Sequence, residues 1–226
     1  MLIAQARYER DAWLDWSWVA DRWGDTVYPA LREHLILTML TMVIGIVLAM
    51  PVAVLAARKR WLYPPVLSAT GILYTIPSLA LLALLVPYTG LSRTTALIPL
   101  VSYTLLILIR NTVAGLDAVP AEAVEAATGM GYRGGQRLLR VELPLALPSI
   151  LAGVRIATVT TIGLVTVTSL IGQDNLGQLM LDGFGLRFRT PIVVGTALAV
   201  LLAVAADAAL YGLQRLSAPW TRTKPA

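Results

Sequence analysis

Few side chains in this sequence could do chemistry. His34 is the only histidine and there is no cysteine. A metal centre and thiol chemistry are therefore not expected. His34 stands at the mouth of the first apolar run and reads as an interfacial histidine. No Ser–His–Asp set and no nucleophile elbow are suggested by neighbouring motifs, which argues against an intramembrane hydrolase. Residues 129–135 are rich in glycine. They lack the lysine and hydroxyl of a phosphate loop, so the chain is not expected to bind or hydrolyse ATP by itself or to hold a cofactor.

What remains is a docking surface. Residues 125–144, EAATGMGYRGGQRLLRVELP, form a polar, glycine-rich stretch between long apolar runs, with charges at Glu125, Arg133, Arg137, Arg140 and Glu142. Strong helix formers run from Ala121 to Ala127. Gly129 and Gly131 then interrupt them, because glycine is costly in a helix and cheap in a turn. A short amphipathic piece, residues 136–141, follows, and Pro144 and Pro148 open the next apolar run. The pattern predicts helix, sharp turn, helix.

Polar residues inside the apolar runs are the second group. Thr158, Thr161 and Thr168 are three and seven apart and would share one helical face. Such a stripe can line a water-filled path, or bond back to its own helix or across to a neighbour. Tyr74, Thr75 and Ser78 flank Pro77, which removes a helical hydrogen bond in mid-span, and have the same two readings. Arg155 and Asp207 each stand within or at the edge of an apolar run. A lone charge there is costly, so such residues pair or face water. On antiparallel spans both would reach a similar depth and could pair. Separate snorkelling to the headgroups is the alternative.

The elements that must position these residues are membrane spans. The 226-residue chain is 57% hydrophobic and 14% charged, with mean hydropathy +0.72; an ordinary soluble domain carries about 25% charged residues. Uncharged or nearly uncharged runs cover residues 35–57, 66–86, 94–109, 145–171 and 192–213, which predicts an all-α polytopic membrane protein with five transmembrane helices. The net charge of +5 sits at the ends of these runs, which argues against a nucleic-acid partner and for contact with lipid. No cleavable leader is expected from the first 30 residues, which hold acids and four tryptophans.

Residues 1–33 read as an extracytoplasmic amphipathic segment. Trp13, Trp16, Val19, Ala20 and Trp23 fall on one helical face, suited to the headgroup layer or to packing on protein. Residues 34–214 form the span-bearing domain with its central loop at 114–144, and 215–226 a basic tail. Residues 172–190 read as a glycine-rich loop. No internal repeat is visible. If the central loop is cytoplasmic, the inner side holds ten basic residues (Arg58, Lys59, Arg60, Arg110, Arg133, Arg137, Arg140, Arg215, Arg222 and Lys224). The outer side holds seven (Arg7, Arg10, Arg22, Arg32, Arg93, Arg187 and Arg189). That places the amino terminus outside and the carboxyl terminus inside.

The central stretch carries a resemblance. It fits Glu-Ala-Ala, three residues, Gly, nine residues, Ile, one residue, Leu-Pro, with Glu125, Ala126, Ala127, Gly131, Val141 in the Ile place, Leu143 and Pro144. This resembles the cytoplasmic loop of type I ABC importer permeases, which docks into a groove of the ATPase subunit. Residues 75–82 (TIPSLALL), 108–112 (LIRNT), 141–148 (VELPLALP) and 152–155 (AGVR) resemble the osmoprotectant permeases, importers of glycine betaine, carnitine and choline. The likeness spans roughly residues 31–172. It departs at residues 172–177, GQDNLG, where the family has Gly-Ala-Gly-Gly-Leu-Gly in a loop that would face a binding protein.

The resemblance implies a non-catalytic permease subunit in a bacterial cytoplasmic membrane. A second permease chain, the same or different, would complete the pathway. ABC ATPase subunits would carry the ATP and Mg. An extracytoplasmic solute-binding protein would deliver a quaternary amine held by cation–π attraction. A methionine or other amino-acid permease is the rival within the class. A stand-alone secondary transporter and a membrane scaffold are rivals outside it. The first usually shows repeats and paired intramembrane charges, and the second leaves the loop spacing without a reason.

Overall fold

Backbone N–H and C=O groups inside a long apolar run find no water, so the run closes its hydrogen bonds on itself as a helix. The computed structural model describes residues 13–217, and every regular element among them is helical. In chain order these are α1 (Trp16–Arg22), α2 (Tyr28–Arg58), α3 (Tyr63–Thr75), α4 (Ser78–Thr89), α5 (Arg93–Asp117), α6 (Ala121–Gly129), α7 (Gly134–Arg137), α8 (Leu143–Val165), α9 (Leu176–Leu186) and α10 (Arg189–Ser217). Arg7, Arg10, Arg222 and Lys224, counted in the expected orientation, lie outside the described residues.

Trp16–Arg58, Arg93–Asp117, Gly134–Ile171 and Arg189–Ser217 are each long and apolar enough to cross a membrane. Arg60–Thr75 and Ser78–Thr89 pass the same test only together, bent by 89° at their break. The spans thus number four, or five with the bent pair counted as one. The run expected as one span over residues 66–86 is this broken pair. Pro77 has no N–H to donate, and it disfavours helical backbone at Ile76. In the last turn of α3 the Thr75 hydroxyl donates to the Ile72 carbonyl at 2.7 Å.

Two more expectations change. The stretch 172–190 is not simply a loop, because α9 occupies most of it. His34 is not at an interface but fully buried, since α2 begins at Tyr28 and carries it inside. Its Nε2 lies 3.0 Å from the Ile162 carbonyl oxygen. A carbonyl can only accept, so the proton sits on that nitrogen.

The chain divides into two compact units, with α2, α5, α8 and α10 passing from one into the other. The described part of the first is residues 13–41, 76–100 and 159–205. Here α9 is seated at backbone distance. A Cβ built at Gly177 would stand 2.1 Å from the Thr166 carbonyl oxygen, and one at Gly195 2.8 Å from the Leu176 carbonyl oxygen. Buried Asn175 opens α9: its Oδ1 accepts from the Gly177 N–H at 2.8 Å. Its amide nitrogen donates to the Val165 carbonyl at 3.0 Å and to the Thr168 hydroxyl at 2.9 Å. The segment that departs from the family pattern is therefore a built corner. α1 packs on this unit through Trp18, edge-to-face on Phe188 with centroids 5.8 Å apart. Trp13, Trp16 and Trp23 stay exposed.

The second unit comprises residues 42–75, 101–158 and 206–217 of the described chain. Its core packs the alanine face of α2 (Ala49, Ala53, Ala56) with Leu108, Ile109 and Val113 of α5. Small side chains allow the backbones to approach, the usual way helices associate where lipid removes the hydrophobic drive. The central stretch belongs to this unit.

Candidate functional site

The central stretch is a helix, a turn and a helix. α6 starts after Pro120, whose fixed φ and extended ψ suit the residue before a helix. It ends in a Schellman closure. The Gly131 N–H bonds the Thr128 carbonyl at 2.9 Å and the Tyr132 N–H bonds the Ala127 carbonyl at 3.1 Å. Gly131 takes φ +82°, the left-handed region that glycine enters without a Cβ clash. α7 and a π-helical turn, Leu138–Glu142, then lead into α8.

Glu142 ties this knob to the rest of its unit. One carboxylate oxygen accepts from Arg137 Nε at 2.7 Å and the other from Arg58 Nη2 at 2.9 Å. Arg137 also donates to the Thr128 hydroxyl at 3.0 Å, and Arg58 to the Gly134 carbonyl at 3.3 Å. Glu142 thus links α6, α7, the end of α2 and the start of α8. Charge-assisted bonds from two arginines to one carboxylate, itself 12% exposed, are stronger than a solvated surface pair. Nearby, Arg60 pairs with Asp117 at 2.8 Å. Arg58, Glu142, Arg60 and Asp117 line a hollow of about 250 Å³ together with Ala57, Leu116, Val119 and Val124. The sequence marked Glu142 only as one of five charges. Its lone acidic position among Arg133, Arg137 and Arg140 was the available signal.

Of the motif residues, Glu125, Ala126 and Gly131 are exposed, while Val141, Leu143 and Pro144 are partly buried. Ala127 is buried at 1% exposure. The thin side of α6 at Ala127 therefore rests on its own chain, and Glu125 and Ala126 face outward.

Arg155 and Asp207 are brought together. Arg155 Nε and Nη2 donate to the two Asp207 oxygens at 2.9 Å each, a bidentate fork. Arg155 Nη1 donates to Gln214 Oε1 at 3.2 Å, and its guanidinium lies 4.8 Å from the Tyr211 ring centre. Gln214 Nε2 donates to the Pro148 carbonyl at 2.9 Å. Asp207, Tyr211 and Gln214 are spaced four and three along α10, a face legible in the sequence once Arg155 is set against it.

The three threonines do not form one stripe. α8 ends at Val165, and Thr168 stands on the 3₁₀ turn Thr166–Ile171. All three are buried. Thr158 bonds back to the Val154 carbonyl at 2.8 Å and Thr168 to the Val165 carbonyl at 2.7 Å. Tyr74 is half-exposed and packs edge-to-face on Tyr103 at 5.7 Å. Thr75 is exposed and Ser78 partly so.

A family model described as binding-protein-dependent transport system inner membrane component matches residues 35–223. The osmoprotectant import permease protein OsmW of Salmonella typhimurium is 37% identical over 83% of this chain and 89% of its own length. The glycine betaine/carnitine/choline transport system permease protein OpuCB of Bacillus subtilis is 34% identical over 87% of this chain and 90% of its own. Among solved structures, an inward-facing MetNI methionine ABC transporter superimposes with TM-score 0.76, covering 84% of this chain and 95% of that one at 24% identity. That likeness concerns the fold alone.

Proposed function

The chain belongs to the binding-protein-dependent transport system inner membrane components, and from that premise we propose that it is the permease subunit of an ATP-driven importer of osmoprotectants, solutes of the quaternary-amine type. The observation that carries the solute class is the identity of 34–37%, over more than four fifths of the chain, with relatives named for osmoprotectant, glycine betaine, carnitine and choline transport.

On this reading α6 is the ATPase dock. Glu125 and Ala126 form the contact, and Gly131 makes the bend. ATP and Mg stay on the ATPase subunits. Force on α6 passes through Ala127 and the Glu142 network into α2 and α8, because paired charges and a close-packed alanine leave little slack. Such coupling is a shift between two global states that nucleotide and solute each bias. The central loop lies in the cytoplasm, the amino terminus outside and the carboxyl terminus inside. A second permease chain completes the pathway, with Tyr74, Thr75 and Ser78 at the helix break beside it. A solute-binding protein docks on the outer side.

The test is purification of the complex from its native membrane and identification of the subunits that come with it. An ABC ATPase and a solute-binding protein that binds betaine, carnitine or choline are expected. A complex whose binding protein takes only amino acids would overturn the solute class.

A further inference from the structure

The turn between α2 and α3 is held at the membrane boundary by its own sequence. One apolar run ends at Ala57 and the next opens at Val66, and residues 58–65, RKRWLYPP, are all that joins them. So short a link keeps both its ends at the edge of the hydrocarbon core. Its backbone is the 3₁₀ turn Arg60–Leu62, which Lys59 precedes. Tyr63 and Val66 then pack against the buried cluster shared by α2 and α5, which fixes the turn in place.

The side chains of the turn divide by what they touch. Arg58 donates to Glu142 and to the Gly134 carbonyl, and Arg60 donates to Asp117. Both are thus spent on the chain's own acids, and residues 58–65 hold no acid themselves. Lys59 stands between the two arginines with φ −113° and ψ 85°, an extended conformation. Successive side chains on extended backbone point to opposite sides. The Lys59 side chain is exposed and has no hydrogen bond or ion pair among the described residues. Trp61 is 71% exposed, and its indole has no hydrogen bond or ring contact among them. An indole is a large apolar body with one polar N–H. At the headgroup layer the ring meets the upper lipid tails while the N–H stays among polar groups. A lysine at the same level lays its stem along apolar surface and puts its ammonium among the phosphates.

We propose that the turn at Lys59–Trp61 is a lipid contact. Trp61 lies at the boundary of headgroups and tails, Lys59 pairs with headgroup phosphates, and the turn ties the base of the central knob to the membrane surface through Arg58 and Arg60. The proposal rests on the membrane spans alone, and on neither the solute class nor the orientation.

The experiment places the complete complex in vesicles of phosphatidylcholine and phosphatidylglycerol. Trp61→Cys carries an environment-sensitive fluorophore, and its signal is corrected for that of the labelled wild-type complex, in which this chain has no cysteine. Bromines placed high on the lipid tails should remove most of the signal, bromines near the tail ends less, and iodide in the water little. Lys59→Glu should shift the balance outward, with a larger loss to iodide and a smaller loss to bromine, because a carboxylate is repelled by anionic headgroups. An unchanged balance would overturn the part given to Lys59. Quenching at position 61 by iodide alone would put Trp61 in water and overturn the contact. Protection from both quenchers would put it under a partner subunit and overturn it as well. Should Trp61→Cys not assemble, bromine quenching of the native indole is read as the difference between wild type and Trp61→Phe. Bromines high on the tails should quench the wild type more, and no difference would overturn the contact.

Discussion

Gly131 holds φ +82° with open space where a Cβ would project, so a substitution there is opposed by backbone conformation rather than by crowding. An L-residue in that region costs about 1–2 kcal/mol, and a β-branched one is worse placed still. Gly131→Val should therefore loosen the turn after α6 without a steric clash. The expected outcome is ATP hydrolysis that persists while uptake falls, read by measuring both on the same vesicles; unchanged coupling would remove the turn from the mechanism. Arg155 and Asp207 set a different residue-scale problem, since removing one partner strands a charge inside an apolar helix. Asp207→Ala should lower the yield of folded complex more than Asp207→Ala combined with Arg155→Met. A double variant worse by the sum of the singles would show that the fork contributes no coupling.

Among the elements, α9 is the tightest fit and the least legible one. Gly177→Ala would drive a Cβ against the Thr166 carbonyl, and overpacking of this kind costs about 1–3 kcal/mol. Its thermal midpoint should fall clearly below that of Gly163→Ala, a control where nothing lies within 4 Å; equal midpoints would contradict the clamp. In the sequence, residues 172–190 read as a loop because Gly177, Gly183 and Gly185 weaken helical propensity. In the fold, Gly177 and Gly183 are what let α9 touch neighbouring backbone. Propensity counts the local cost of glycine and cannot see the contact that offsets it. Trp18 escapes a local reading too, since the helical wheel groups the tryptophans that stay outside and leaves out the one that packs on Phe188. By contrast, the apolar runs and the Gly131 turn were readable, because hydropathy and glycine at a helix end act locally. Thr168 shows the limit of periodicity: a stripe spaced for one helix breaks when that helix ends three residues early. The Glu142 network was not readable either, since Arg58 lies 84 residues away in the chain.

At the scale of the whole molecule, the sequence contains no cysteine, so single introduced thiols report cleanly. Gly24 and Gly135 are both exposed, with nothing within 4 Å of a Cβ. In intact cells, Gly24→Cys should react with an impermeant thiol reagent and Gly135→Cys only after lysis; the reverse pattern would invert the proposed orientation. On the proposed function, this chain is a passive pathway whose energy comes from a partner engaged by α6. Uptake of labelled glycine betaine into liposomes rebuilt from this chain and its co-purifying partners tests that most directly. Uptake should require the ATPase, the binding protein and ATP together. Uptake by this chain alone, driven by an ion gradient with no ATPase present, would contradict it.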